Sequence, residues 1–94
     1  MGRRHRRGGI TLVTASGRPG AIRVAVVAGK KVGSAVERNR AKRRLREALR
    51  RVSLPVGRDY LVIASASVNQ ADFTRLVSWL AGAVDAEEEA KGEQ

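Results

Sequence analysis

Between Gly29 and Arg51 the chain places ten Lys or Arg among 23 residues, against two Glu. That is a local net charge of +8, in a chain of 94 residues whose total is +10. Cations at this density neutralise and position phosphates. Arg outnumbers Lys here, and the planar guanidinium fork suits bidentate phosphate contact. Like charges at i,i+4 cost a helix a few tenths of a kcal/mol each, so fold stability does not account for them. A solubilising face mixes signs, whereas Glu47 is the single acid from Arg38 to Arg51. The stretch reads as a polyphosphate-binding helix.

Other chemistries were tested against the same residues. Lys30-Lys31-Val32, bracketed by Gly29 and Gly33, is not a nucleotide P-loop. The first glycine of that motif, five residues before Gly29, is absent, and Lys31 follows Lys30 where Ser or Thr is required. A looser anion site remains, made of glycine-flanked amides, two lysines and a helix N-terminus. No catalytic group is expected. Glu37 reads as a helix cap, Glu47 sits among arginines, Asp59 and Asp72 flank elements, and His5 is the lone histidine in an arginine-rich arm. Neither a metal-ligand cluster nor a nucleophile–base pair emerges from the spacing. If catalysis involves this protein, the reacting groups belong to a partner.

The elements that must position these cations follow from patterning. Ser34 with Glu37 three residues on is a capping box, so a helix starts there. Ala41, Leu45, Ala48, Leu49 and Val52 fall within about 100° of one another on that helix, a narrow apolar stripe. Asn39, Arg43, Arg46 and Arg50 line one flank of the stripe, and Arg40, Arg44 and Arg51 the other. Ser53 to Gly57, with Pro55, stops the helix. Ile10–Ala15 alternates as a strand, Ser16–Gly20 is a turn cluster of hairpin length, and the near-continuous apolarity of Ala21–Ala28 predicts an interior strand. Asp59–Ser65 is a third strand. Asn69 is expected to cap a second helix with core residues Phe73, Leu76, Val77, Leu80 and Val84. Trp79 lies about 120° off that stripe, which predicts a place at the rim of the core before a base-stacking one.

Three regions result. Residues 1–8 form a basic arm, either an unstructured tail or a second phosphate contact. Residues 9–84 form a single domain, and residues 85–94, with five acids and one lysine, an acidic tail that is disordered or a frayed helix. The chain has no cysteine, which fits a reducing compartment. It has no apolar run of membrane-spanning length and no signal-peptide pattern. The charge calls for nucleic acid as partner, because a membrane-surface helix needs bulkier apolar residues than this Ala- and Val-rich stripe.

The stretch Lys30-Lys31-Val32-Gly33-Ser34-Ala35-Val36-Glu37-Arg38-Asn39-Arg40-Ala41-Lys42-Arg43-Arg44-Leu45-Arg46-Glu47 resembles the signature of the bacterial ribonuclease P protein component. That family reads Lys-Lys-(Ile/Val)-Gly-x-Ala-Val-x-Arg-Asn-Arg-x-Lys-Arg, with a further Arg three residues later. The likeness extends from about Gly2 to Leu80. It implies an α+β fold like domain 2 of ribosomal protein S5: a small mixed sheet with a left-handed strand–helix–strand crossover, against the usual right-handed rule. It also implies a cytoplasmic ribonucleoprotein that removes the 5′ leader of precursor tRNA. In that family the RNA subunit does the chemistry with Mg²⁺, which is held mainly by RNA. The expected RNA contacts are Lys30, Lys31, Arg38, Asn39, Arg40, Lys42, Arg43, Arg44, Arg46 and Arg50. The partners implied are ribonuclease P RNA and precursor tRNA, with neither membrane nor DNA.

The sequence departs from that pattern at its start. Relatives carry a helix ahead of the first strand, with aromatics walling a leader-binding cleft. This chain begins at about the end of that helix, and Ile10–Ala15 has no aromatic. Base stacking contributes roughly 1–3 kcal/mol per base, so leader recognition is expected to be weak or to be supplied by Arg23 and aliphatic contacts, with Thr11, Val13 and Arg23 as the candidate leader-facing residues. The competing readings are a structural RNA binder of ribosomal type, which has the same composition, and a DNA-binding helix, ranked last because strands flank the basic helix.

Overall fold

Gly8 turns the chain back on itself at φ +53, and the first two strands pair across that turn. A computed structural model describes residues 2–92. Strands β1 (Arg3–Arg7) and β2 (Ile10–Ser16) form the hairpin, followed by β3 (Ile22–Ala28), a 3₁₀ turn (Lys30–Val32) and helix α1 (Ala35–Leu49). Strand β4 (Arg58–Ala64), a second 3₁₀ turn (Ala66–Asn69) and helix α2 (Phe73–Gly92) complete the order. The sheet runs β1-β2-β4-β3, with β4 antiparallel to β2 and parallel to β3. The β3–α1–β4 segment is therefore the crossover, and the sheet is mixed.

Both helices pack on one sheet face. There Ile10 and Leu12 of β2 and Tyr60 and Val62 of β4 meet Ala41, Leu45 and Ala48 of α1 and Leu76 and Leu80 of α2. α1 lies over β3 and α2 over β1 and β2. The Tyr60 hydroxyl donates to the Pro55 carbonyl at 2.7 Å, so this buried phenol keeps a partner. Among the described residues, the opposite sheet face carries no helix.

Several expectations change. Ser16–Gly20 does not close a hairpin. β4 enters between β2 and β3, and Gly57 is held there, its carbonyl accepting from Gly17 N at 3.0 Å and its amide donating to Ala21 O at 2.7 Å. β3 is an edge strand and not an interior one. Val26 and Ala28 pack against the core, but Ile22, Val24 and Val27 stay 43%, 41% and 44% exposed. Residues 3–7 of the basic arm are strand β1, without apolar alternation because the residues facing the helices include Arg3 and His5. The acidic segment is helical through Gly92, and Glu87 within it is only 1% exposed; residues 93–94 lie outside the described part. Asn69 does not cap α2. The Asp72 carboxylate accepts from Arg75 N at 2.8 Å instead, while Asn69 Nδ2 donates to the Glu37 carbonyl of α1.

Candidate nucleic-acid interface

The basic helix starts where its sequence says it should. Ser34 Oγ accepts from Glu37 N at 3.2 Å, and Ser34 N donates to Glu37 Oε1 at 2.9 Å. The hydrogen bond from the Ser34 backbone, with the one involving its side chain, holds the Glu37 carboxyl below its ordinary value. Gly33, at φ +138, leaves room for this arrangement. A Cβ there would fall 2.4 Å from Glu37 Oε1. Val32 is buried, so Lys30 and Lys31 beside it are held on the surface at the entrance to α1.

Ala41, Leu45 and Ala48 bury the inner stripe of α1 completely, with Leu49 and Val52 partly buried next to them. Most of the remaining helix surface faces outward. Asn39, Arg40, Arg43 and Arg46 are exposed, and Arg38 and Lys42 are half-buried. Among the described residues none of these cations meets a carboxylate. The basic side chains paired with acids are Arg3, His5 and Arg58 on Glu87, Arg23 on Asp59, and Arg50 on Glu47 at 3.3 Å. The field of α1 is therefore directed at solvent, where phosphates would compete only with water and salt.

One expected contact is placed differently. The Arg44 guanidinium is turned inward, donating to the Val68 carbonyl and, at 2.6 Å, to the Ala71 carbonyl. It clamps the second 3₁₀ turn to α1, so its fork is already occupied. Arg51 stacks over Phe73, 5.6 Å from the ring centroid, and joins α1 to α2 through a cation–π contact.

Thr11, Val13 and Arg23 share the uncovered sheet face. The register sets Thr11 beside Ile63, Val13 beside Leu61, and Arg23 beside Asp59. Arg23 grips Asp59 with both ends of its fork, at 3.0 and 2.6 Å. This hydrogen bond keeps the Asp59 carboxyl low and the guanidinium high. Exposed Arg4 and Arg6 border the same face, opposite Val13 and Thr11. They were missed as named site residues because the arm lacks the apolar alternation that signals a strand.

A second convergence was invisible in the sequence. The Glu87 carboxylate accepts from Arg3 at 3.1 and 2.9 Å, is hydrogen-bonded to His5 Nε2 at 2.8 Å, and accepts from Arg58 at 2.5 Å. Burial pushes this carboxyl up. The hydrogen bonds from Arg3 and His5 and the charge of Arg58 outweigh burial and hold it at about 2. The cluster joins β1, β4 and α2 and leaves no cation free, so it belongs to the scaffold.

The ribonuclease P family model matches residues 1–86. The chain is 54% identical over 55 residues to the ribonuclease P protein component of Thermus thermophilus, a match covering 58% of this chain and 33% of that protein. It is 51% identical over 63 residues to the component from Dehalococcoides mccartyi, covering 64% and 52% respectively. The chain thus spans about a third to a half of the length of these relatives. Among solved structures, the RNase P protein from Thermotoga maritima superposes with a TM-score of 0.77 at 26% identity, over 88% of this chain and 81% of that one. The Staphylococcus aureus RNase P protein superposes with a TM-score of 0.71 at 22% identity, over 92% and 81%, a likeness of fold alone. The four-stranded sheet with two helices is the α+β architecture, like domain 2 of ribosomal protein S5, that the resemblance implied.

Proposed function

The chain belongs to the ribonuclease P protein family, and from that premise we propose that it acts in the cytoplasm as the protein subunit of a ribonucleoprotein. Its part is to hold ribonuclease P RNA and precursor tRNA together while the RNA removes the 5′ leader. The observation that carries this reading is the outer surface of α1. There Arg38, Arg40, Lys42, Arg43 and Arg46, with Lys30 and Lys31 at its entrance, meet no acid among the described residues. A fold that needed these cations for itself would pair them, as it does Arg58. Neutralising crowded phosphates lowers the divalent-ion concentration that RNA assembly requires.

Mg²⁺ belongs to the RNA in this proposal. Among the described residues no group of three His, Cys, Asp or Glu gathers as metal ligands do, and the buried carboxylate of Glu87 is taken up by Arg3, His5 and Arg58. The uncovered sheet face, with Thr11, Val13 and Arg23 and bordered by Arg4 and Arg6, is the proposed path of the single-stranded leader. It holds Leu61 and Ile63 but no aromatic, which makes that contact a weak one.

The test is reconstitution. Added to a bacterial ribonuclease P RNA at low Mg²⁺, the chain is expected to raise the rate of precursor-tRNA cleavage. Tight RNA binding with no change in cleavage would replace this reading with that of a structural RNA binder.

A further inference from the structure

Trp79 has a position that core packing does not use up. Of the three aromatic residues in the chain, Tyr60 is buried and bonded to Pro55, and Phe73 lies under Arg51. Trp79 is only partly buried and rests on the β1–β2 turn. A Cβ on Gly8 would come within 2.0 Å of Trp79 Cε2, and one on Gly9 within 2.8 Å of Cζ3. One side of the indole is thus supported by bare backbone that only glycine allows. The ring also lines a cavity of about 300 Å³ between that turn, the second 3₁₀ turn and the start of α2.

Apart from Gly8, Gly9 and Ala71, the other walls of this cavity are polar or cationic. Gln70 offers an amide that can donate to and accept from a base edge, and the Ser67 hydroxyl, hydrogen-bonded to Ser65 Oγ at 2.7 Å, keeps further bonding capacity. Arg75, one helical turn before Trp79, is exposed and has no carboxylate partner among the described residues. Arg7 runs along α2 at Gly82, one turn after Trp79, and its guanidinium donates to the Arg6 carbonyl. An aromatic surface, a hydrogen-bonding edge and the Arg75 cation on the cavity wall suit an unpaired nucleotide: base on the ring, phosphate on the arginine. The site is also fixed to the basic helix. The second 3₁₀ turn that walls it is tied to α1 by Arg44 and by Asn69.

We infer that the cavity between the Gly8–Gly9 turn and the first turns of α2 is a stacking subsite for one unpaired nucleobase of RNA, with Trp79 as its platform. The subsite lies apart from both the outer face of α1 and the uncovered sheet face, and it rests on the RNA-binding reading above.

Because Trp79 is the only tryptophan, its emission reports on this subsite alone. The intact chain is titrated at low salt with a short unstructured oligouridylate and with an abasic oligomer of the same length, binding being followed independently by anisotropy of labelled oligomers. The expected result is saturable quenching by oligouridylate and little by the abasic oligomer. Trp79→Leu should weaken oligouridylate binding about fivefold or more while leaving abasic binding and the salt slope unchanged, and Trp79→Phe should recover most of the loss. Oligouridylate that binds with Trp79 emission unchanged overturns the subsite and leaves α1 as the RNA contact. If neither oligomer shifts the anisotropy, the RNA-binding reading itself falls. Should Trp79→Leu melt early, the wild-type emission contrast decides.

Discussion

His5 Nε2 and the Glu87 carboxylate are hydrogen-bonded at 2.8 Å, which joins the first strand of the sheet to the last turns of α2. Arg3 and Arg58 converge on the same carboxylate. A buried acid with this many donors holds two chain ends and a central strand in one register. Its removal leaves cations buried without an anion.

Glu87→Ala should therefore destabilise the fold by about 3–5 kcal/mol, as expected when one partner of a buried ionic cluster is deleted. Urea unfolding followed by circular dichroism measures it. A loss no larger than the roughly 1 kcal/mol of a surface pair would contradict the buried role assigned here.

The same carboxylate sets an acid limit. Its folded pKa, about 2, lies below the ordinary value of 4.5. The stabilisation is thus complete above the unfolded value and is lost as pH falls through that window towards the folded one. Thermal melts between these limits should drop more steeply for the wild-type chain than for Glu87→Gln. Parallel curves would show that Glu87 does not carry the dependence.

Replacing Arg43 and Arg46 together by Ala should lower the slope of log affinity against log salt for RNA by about one to two units. Both side chains are exposed on α1 without an acid partner, so the fold should be unaffected. An unchanged slope would place the phosphate contacts elsewhere.

Arg44→Ala is the contrasting case. Its guanidinium serves the Val68 and Ala71 carbonyls, and hydrogen bonds to charged donors contribute about 1.5–3 kcal/mol. Stability should fall while the salt slope stays as it was. A reduced slope with unaltered stability would return Arg44 to the RNA-facing set.

What the sequence determined by itself was local. The Ser34 and Glu37 pair three residues apart, the burial of Ala41, Leu45 and Ala48, and the cation excess on the remaining faces of α1 all follow from helical geometry within a few turns. They hold in the structure. Extended segments at β2, β3 and β4 were legible for the same reason, since side-chain alternation is a property of one strand.

Tertiary structure decided which segments meet. Backbone hydrogen bonds are alike at every residue, so nothing in Ile22–Ala28 reveals that β4 will insert beside it and leave it at the edge. Nor does an acidic C-terminal run reveal that Glu87 will be buried among Arg3, His5 and Arg58. Arg44 and its neighbours on α1 carry the same charge. Only the carbonyls of a turn more than twenty residues away distinguish the one that braces the fold from those that face outward. Charge sign and spacing are encoded in the chain, but the partner that meets each charge is set by packing.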